Sequence, residues 1–380
     1  MGVFGIAAMS AGTGFVETGV MHGIRIASAG GPGVLEWAEL PDPEPGPGQV
    51  LVEVAAAGVN FIDTYQRSGL YPMPLPYIPG LEGAGTVLAV GPALDEGDAG
   101  NGTGTGLGNS PGSGHGRLGG SGTTDSGTWN PGPAITVGQR VAWLDGLGSY
   151  AQRVVVPASR VVPVPDGVGL DVAAAVMLQG ATAQYLVTDT YRLGAGEHCL
   201  VQAAAGGVGL LLTQLAKRAG ATVVAVVGSA SKAELASAAG ADHVVEYRDG
   251  DLVAAVEALV GPRAMHVVYD GVGRATFLAG LDLLRPRGMM VTFGNASGPV
   301  DPISPLLLSQ KGSLFLTRPT LAHYTLTTEE LRYRVGAMFG LLASDALDVR
   351  IGLRVPLAEA ARAHRLLEGR QTTGKVLLEP

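Results

Sequence analysis

Residues 198–220 read HCLVQAAAGGVGLLLTQLAKRAG. An apolar strand over 198–203 runs into a turn of small residues and then into an amphipathic helix that begins near Gly207. Ala203, Gly206 and Gly209 make an A-x-x-G-x-x-G version of the dinucleotide fingerprint, in which missing side chains let the backbone approach a pyrophosphate at the positive end of the helix. Glycine spacing alone is weak evidence in a chain with 59 glycines, so the flanking residues decide. They continue as strand 222–227, helix 231–239, strand 243–245, helix 252–260, strand 266–270, helix 275–284 and strand 289–293. This alternation predicts an α/β, doubly wound parallel sheet with its ligand over the carboxyl ends of the strands.

The end of the second strand bears on the cofactor. NAD-binding units usually place an Asp or Glu about 20 residues past the glycines to bind the ribose 2′-hydroxyl. Here the text is VVGSASK, and Gly228, Ser229 and Lys232 stand where the acid would be. A 2′-phosphate would meet hydroxyl and ammonium donors instead of a repelling carboxylate, which favours NADPH over NADH. The competing reading makes Lys232 a solvated helix residue, and nearby Glu234 tempers the preference.

At 380 residues the chain has room for two domains. A formal charge of −8 argues against nucleic acid or an anionic membrane as the main partner. The single cysteine, Cys199, falls within the first strand of the nucleotide unit; it makes no internal disulfide and leaves no cysteine cluster for zinc. No apolar run approaches the ~20 residues of a membrane span. Residues 1–20 lack the basic residues and compact apolar core of a secretory signal, so a cytoplasmic protein is the default expectation.

Residues 1–20 show no period and are expected as a flexible extension or the product of an early start codon. Strand-like text follows, with GIRIAS, VLEWAEL and VLVEVAAAGV alternating polar and apolar residues as in a half-exposed antiparallel sheet. The segment NFIDTYQRSGLY (60–71) concentrates Asn, Asp, Arg and two Tyr after a strand end, where catalytic side chains are commonly presented. Taken alone, an ordinary helix turn with packed tyrosines is the better reading of it. Between 97 and 133, 14 of 37 residues are Gly and almost nothing is apolar, so a disordered insertion is expected, with isolated His115 no metal ligand. Strands are expected over 138–144, 149–156 and 161–167, then helix 170–178 capped by Asp171 and a second helix from 182. After the nucleotide unit come a loop at 294–298, a strand in GSLFLT, helices 328–343 and 357–367, and a closing strand 375–378. The domain limits expected are 21–178, 179–312 and 313–380, with the first and last completing one domain around the second.

With NFIDTYQRSGLYP, AAAGGVGLLLTQLAK, VVYDGVGR, MVTFGNASG and QKGSLFLTRPTL in view, the chain resembles the zeta-crystallin-like NADPH:quinone oxidoreductases of the zinc-independent medium-chain dehydrogenase/reductase superfamily. The likeness runs from Met21 to Pro380 apart from the Gly-rich insertion. It implies a GroES-like, mostly β catalytic domain split around a Rossmann domain, no metal, NADPH and substrate in the cleft, and a homodimer through the edge of the nucleotide-domain sheet. Carried over by position, Asn60 contacts the nicotinamide region, while Ile62, Tyr65 and Tyr71 line the quinone pocket. Arg318 gates or binds the substrate. Gly206, Gly207 and Val208 face the pyrophosphate; Gly228, Ser229, Lys232 and Tyr247 hold the 2′-phosphate; Phe293, Gly294, Asn295 and Ser297 line the nicotinamide side. Thr182 reaches the cofactor, and Gly374 and Lys375 lie near it. Gln179 departs from the lysine that bacterial relatives carry, which puts one phosphate contact in doubt.

The expected reaction is reduction of a quinone by hydride or one-electron transfer, with Tyr65 the best candidate to protonate or hydrogen-bond the developing oxyanion and Arg318 able to stabilise the same charge. An enone or 2-alkenal reductase needs the same cofactor geometry and a narrower pocket. A rival of another class is an idle NADPH- or RNA-binding crystallin-like protein, which the acidic balance and both tyrosines disfavour.

Overall fold

The computed structural model describes residues 19–93, 135–247 and 251–380. Of the extension expected over residues 1–20, only Gly19 and Val20 fall among them; the Gly-rich stretch 97–133 with His115 lies outside the described residues.

Val20–Arg25 (β1) and Glu36–Pro41 (β2) pair as an antiparallel ribbon. Then come Gln49–Val59 (β3), helix Phe61–Ser68 (α1), Glu82–Val90 (β4), Arg140–Leu144 (β5), Arg153–Pro157 (β6), Val161–Pro163 (β7) and helix Leu170–Tyr185 (α2). The parallel unit runs His198–Gln202 (β8), Gly207–Arg218 (α3), Thr222–Val227 (β9), Ala230–Ala238 (α4), His243–Glu246 (β10), Leu252–Val260 (α5), Met265–Asp270 (β11), Phe277–Leu283 (α6), Leu284–Thr292 (β12), Pro305–Gln310 (α7) and Phe315–Thr317 (β13). Thr328–Ala343 (α8), Ile351–Pro356 (β14), Ala360–Glu368 (α9) and Lys375–Glu379 (β15) follow.

The second sheet is all parallel, in the order β10-β9-β8-β11-β12-β13. Its order reverses between β8 and β11, which opens a crevice above their carboxyl ends. The other large sheet runs β14-β15-β3-β4-β5-β7, with β6 paired to β3, so the two ends of the chain complete one sheet around the parallel unit. One continuous core holds the two together: Ala56, Ala84 and Ala142 of the antiparallel sheet pack in the same cluster as Cys199, Val201 and Tyr269 of the parallel one, with α2 between. Cys199 is wholly buried, which pushes its thiol up to about 12 and keeps it protonated.

Several expected boundaries move. The helices expected at 170–178 and from 182 are one helix, α2, continued by a π turn over Leu186–Thr190. Gly180 is not a break: a Cβ there would sit 2.5 Å from Val176 Cγ2 and 3.2 Å from Met338 Cε, so its bareness lets α8 pack closely. The cap of α2 is Gly169, not Asp171, whose carboxylate accepts from Val172 N–H at 2.8 Å within the first turn. The run Leu170–Thr190 is long and apolar enough to cross a membrane, contrary to expectation, but most of it is buried in the fold as its central helix. Strand β13 pairs with β12 in the parallel sheet and so lies beyond the limit expected at residue 312. The helix expected from 357 begins with a 3-10 turn, Leu357–Glu359, before α9.

Candidate active site

The crevice begins at the turn after β8. Ala203 takes φ 52, the left-handed region, and its carbonyl receives the Gly206 N–H at 2.9 Å. Gly206 caps α3 in extended conformation. A Cβ on Gly209 would lie 2.5 Å from the Ala203 carbonyl oxygen and 2.7 Å from Ala204 Cα, so only glycine lets the helix seat on the turn. Gly374 N–H donates to the Ala205 carbonyl at 2.9 Å, which brings the C-terminal segment alongside the loop. The N–H groups of the first turn, which no carbonyl within the helix can reach, and the positive end of a 12-residue helix make an anion cradle.

At the end of β9, Ser229 caps α4 and Gly228 borders open space. Lys232 Nζ donates to the Arg370 carbonyl at 2.8 Å, and burial together with the Arg370 guanidinium holds Lys232 below its ordinary pKa. Arg370, at φ 57, is a cation that sequence reasoning missed; its only signal was its place four residues ahead of Gly374. Tyr247 N–H bonds the Val227 carbonyl at 2.8 Å, placing that residue at the same strand end, while Glu234 is exposed.

Across the crevice, α1 projects Tyr65 so that its hydroxyl accepts from the Asn295 N–H at 2.9 Å, with Tyr71 edge-on at 5.4 Å between ring centres. Burial pushes the Tyr65 hydroxyl up to about 12, so it remains a proton donor at neutral pH. Arg318, just past β13, donates to Thr292 Oγ1 and the Gly294 carbonyl, both at 3.0 Å. The loop carrying Phe293, Gly294, Asn295 and Ser297 is held by Phe293 N–H to Asp270 O at 2.8 Å and Ser297 Oγ to Val272 O at 2.8 Å. Asp270 itself accepts from Val272 N–H, Gly273 N–H and Thr276 Oγ1, and so shapes the neighbouring turn. Thr182 is buried in α2 and Ile62 half-buried in α1.

Asn60 and Lys375 lie deeper than expected, 4% and 1% exposed, beneath the crevice. Asn60 Nδ2 donates to Glu82 Oε1 at 2.6 Å, and its Oδ1 accepts from Lys375 Nζ at 3.0 Å and Gln179 Nε2 at 3.2 Å. Lys375 also ion-pairs with Glu82, which accepts from the Leu178 N–H at 2.6 Å. The bonds from Asn60 and Leu178 to Glu82, and from Lys375 to Asn60, offset the cost of burying the pair. Below it Asp63 accepts from the Asn60 N–H at 2.8 Å and from the Tyr150 hydroxyl at 3.0 Å. Tyr150 meets His364 Nε2 at 3.2 Å, and Arg67 Nη1 meets His364 Nδ1 at 3.1 Å while pairing with Glu368 at 2.6 Å. Burial raises the Asp63 carboxyl to about 7, and burial with Arg67 lowers His364 to about 3.

A parallel nucleotide-type sheet inserted into an antiparallel one, with a glycine loop at the switch point, defines a two-domain oxidoreductase of the dehydrogenase/reductase class. Family models agree: residues 46–166 match the alcohol dehydrogenase GroES-like domain and residues 207–339 match a model described as zinc-binding dehydrogenase. Among the described residues no group of three or more His, Cys, Asp or Glu side chains could hold a metal. A quinone oxidoreductase of Pseudomonas aeruginosa is 42% identical over 94% of this chain and 99% of its own. A 2-haloacrylate reductase of Burkholderia is 37% identical over 93% and 98%. The crystal structure of Escherichia coli quinone oxidoreductase complexed with NADPH superposes with a TM-score of 0.82, at 38% identity, over 94% of this chain and all of that one. This chain belongs to the quinone oxidoreductase family.

Proposed function

We propose that the protein reduces quinones with NADPH, the substrate lying in the crevice beside the contact between Tyr65 and the loop 293–297. The observation that carries this reading is that Tyr65 and Arg318 are held on adjacent residues of the loop after β12, Tyr65 by the Asn295 N–H and Arg318 by the Gly294 carbonyl, which puts a hydroxyl donor and a guanidinium at one end of the crevice. NADPH supplies a hydride to an electron-poor ring. Gly206, Gly207 and Val208 fit its pyrophosphate, and Ser229, Lys232, Tyr247 and Arg370, beside Gly228, fit its 2′-phosphate. Thr182, Phe293 and Gly294 border the nicotinamide end, while Asn60 and Lys375 act from beneath by fixing the floor. Tyr65 gives a proton to the reduced oxygen, and Arg318 stabilises the charge that forms before it arrives. Reduction of a conjugated carbonyl would use the same groups, and the similarity to the haloacrylate reductase favours keeping that acceptor class in view. The cytoplasm suits a chain whose lone cysteine is buried and reduced. The exposed edge strand β13, with Phe315 57% exposed, supports a homodimer formed by pairing two such edges.

The test is steady-state oxidation of NADPH and NADH with ortho- and para-quinones and a simple enone, in the wild-type protein and Lys232→Glu. Quinone turnover with NADPH, its KM raised about 10- to 100-fold in the variant with little change for NADH, is the expected result. Turnover of the enone alone would move the protein to the alkenal reductases. Silence with every acceptor would leave a binding protein.

A further inference from the structure

The polar chain around Asn60 fixes which atom of Gln179 faces the phosphate loop. Glu82 is wholly buried and, paired with Lys375, is an acceptor, so the Asn60 group 2.6 Å from it is the amide nitrogen. Asn60 Oδ1 therefore turns toward Lys375, whose ammonium has only donors to offer. The Gln179 group that shares this oxygen must be its own amide nitrogen. Gln179 Oε1 is thereby packed on the Cα of Gly207 at the N-terminus of α3, in the place a Cβ on residue 207 would take. That oxygen is buried and has no hydrogen-bond donor among the described residues, and Gln179 as a whole is 9% exposed.

A desolvated amide oxygen needs a donor, and a phosphate oxygen is another acceptor that would only repel it. Everything else at the start of α3 invites an anion; Gln179 Oε1 selects against one. In NADPH the group joining the pyrophosphate to the nicotinamide is a ribose with two free hydroxyls, both donors. Gln179 spans that same interval, from Gly207 of the loop to Asn60 beneath the nicotinamide end. We infer that Gln179 positions the nicotinamide-bearing ribose, its Oε1 accepting a hydrogen bond from one hydroxyl of that sugar. This rests on the NADPH reading above. Through Asn60, Glu82 and Lys375, the orientation of one buried carboxylate is passed on to the cofactor's sugar.

The experiment is a fluorescence or calorimetric titration of wild type, Gln179→Met and Gln179→Lys with NADPH and with analogues lacking the 2′- or the 3′-hydroxyl of the nicotinamide ribose. Wild type should bind one analogue about 10-fold more weakly than NADPH, and Gln179→Met should bind NADPH and that analogue equally, within about twofold. Equal binding of NADPH and both analogues by wild type overturns the inference, and this comparison needs no folded variant. It also falls if the discrimination persists in Gln179→Met, or if Gln179→Lys tightens NADPH, since a phosphate oxygen would then be the partner. No measurable affinity of wild type for NADPH is a different result, which removes the cofactor reading itself.

Discussion

The Tyr65 hydroxyl accepts a 2.9 Å hydrogen bond from the backbone N–H of Asn295, 230 residues away, and so ties helix α1 to the loop that ends β12. Because the amide donates, the phenolic proton remains available to a substrate oxygen. Tyr65→Phe removes the donor and the tie but keeps the ring against Tyr71. Quinone reduction should fall in kcat by about 100-fold, within the range general acids supply, while NADPH affinity changes less than about threefold. Loss confined to KM would show that Tyr65 only packs against the substrate.

The parallel unit was legible because its signals are local: the spacing Ala203, Gly206, Gly209 and the alternation of strands and helices each sit within a few turns of chain. What escaped depends on distant partners. Gly180 reads as a helix breaker until Met338 is seen packing on it, and Asp171 reads as a cap although the residue ahead of Leu170 performs that role. The three-residue β13 carries little periodicity, and only its ladder with β12 assigns it to the nucleotide sheet. Glu82 and Arg370 carry no local signal because the groups they serve, Lys375 and Lys232, lie 293 and 138 residues away.

At the first position of the phosphate turn, Ala203 holds φ 52, where a side chain carries strain of about 1–2 kcal/mol. Glycine would relieve it but gives back about 0.5–1 kcal/mol as added freedom of the unfolded chain. Ala203→Gly should thus raise stability by about 0.5–1 kcal/mol, read as a higher urea midpoint with an unchanged slope. Gly209→Ala should do the opposite, by several kcal/mol in order of magnitude, since its Cβ would meet backbone at 2.5 Å. A neutral Ala203→Gly would mean that neighbouring backbone, not the side chain, sets this turn.

Strand β13 is the last of its sheet and presents Phe315 and Leu316, 57% and 37% exposed, beside unpaired backbone groups. If two copies join there, Phe315→Glu sets like charges close together in a partly apolar contact. Sedimentation should show the wild type as a dimer and the variant shifted to monomer at micromolar concentration, with far-UV circular dichroism unchanged. A variant that sediments like wild type places the contact elsewhere.

Asp63 and His364 titrate in opposite senses on either side of Tyr150. The folded Asp63 carboxyl, at about 7, lies above its ordinary 3.8 because burial disfavours the charge. Its contribution is therefore fully present below about pH 4 and is lost as pH rises through 7, since the native state keeps a proton that the unfolded chain has released. His364, at about 3, lies below its ordinary 6.5 through burial and the Arg67 charge, so its contribution is present above 6.5 and is lost as pH falls toward 3. The charged groups facing the pair are Lys375 and Glu82 above and Arg67 with Glu368 below. The two slopes oppose each other between about pH 4 and 6.5, and the wild type should show a nearly flat stability profile there. Asp63→Asn keeps the shape and an acceptor for the Asn60 N–H but removes one slope. Its urea midpoint should climb relative to wild type from pH 4 to pH 7, by at most on the order of 1.4 kcal/mol per pH unit. Parallel profiles would mean that Asp63 is already ionised in the folded protein, held so by Lys375 and the Tyr150 hydroxyl in spite of its burial.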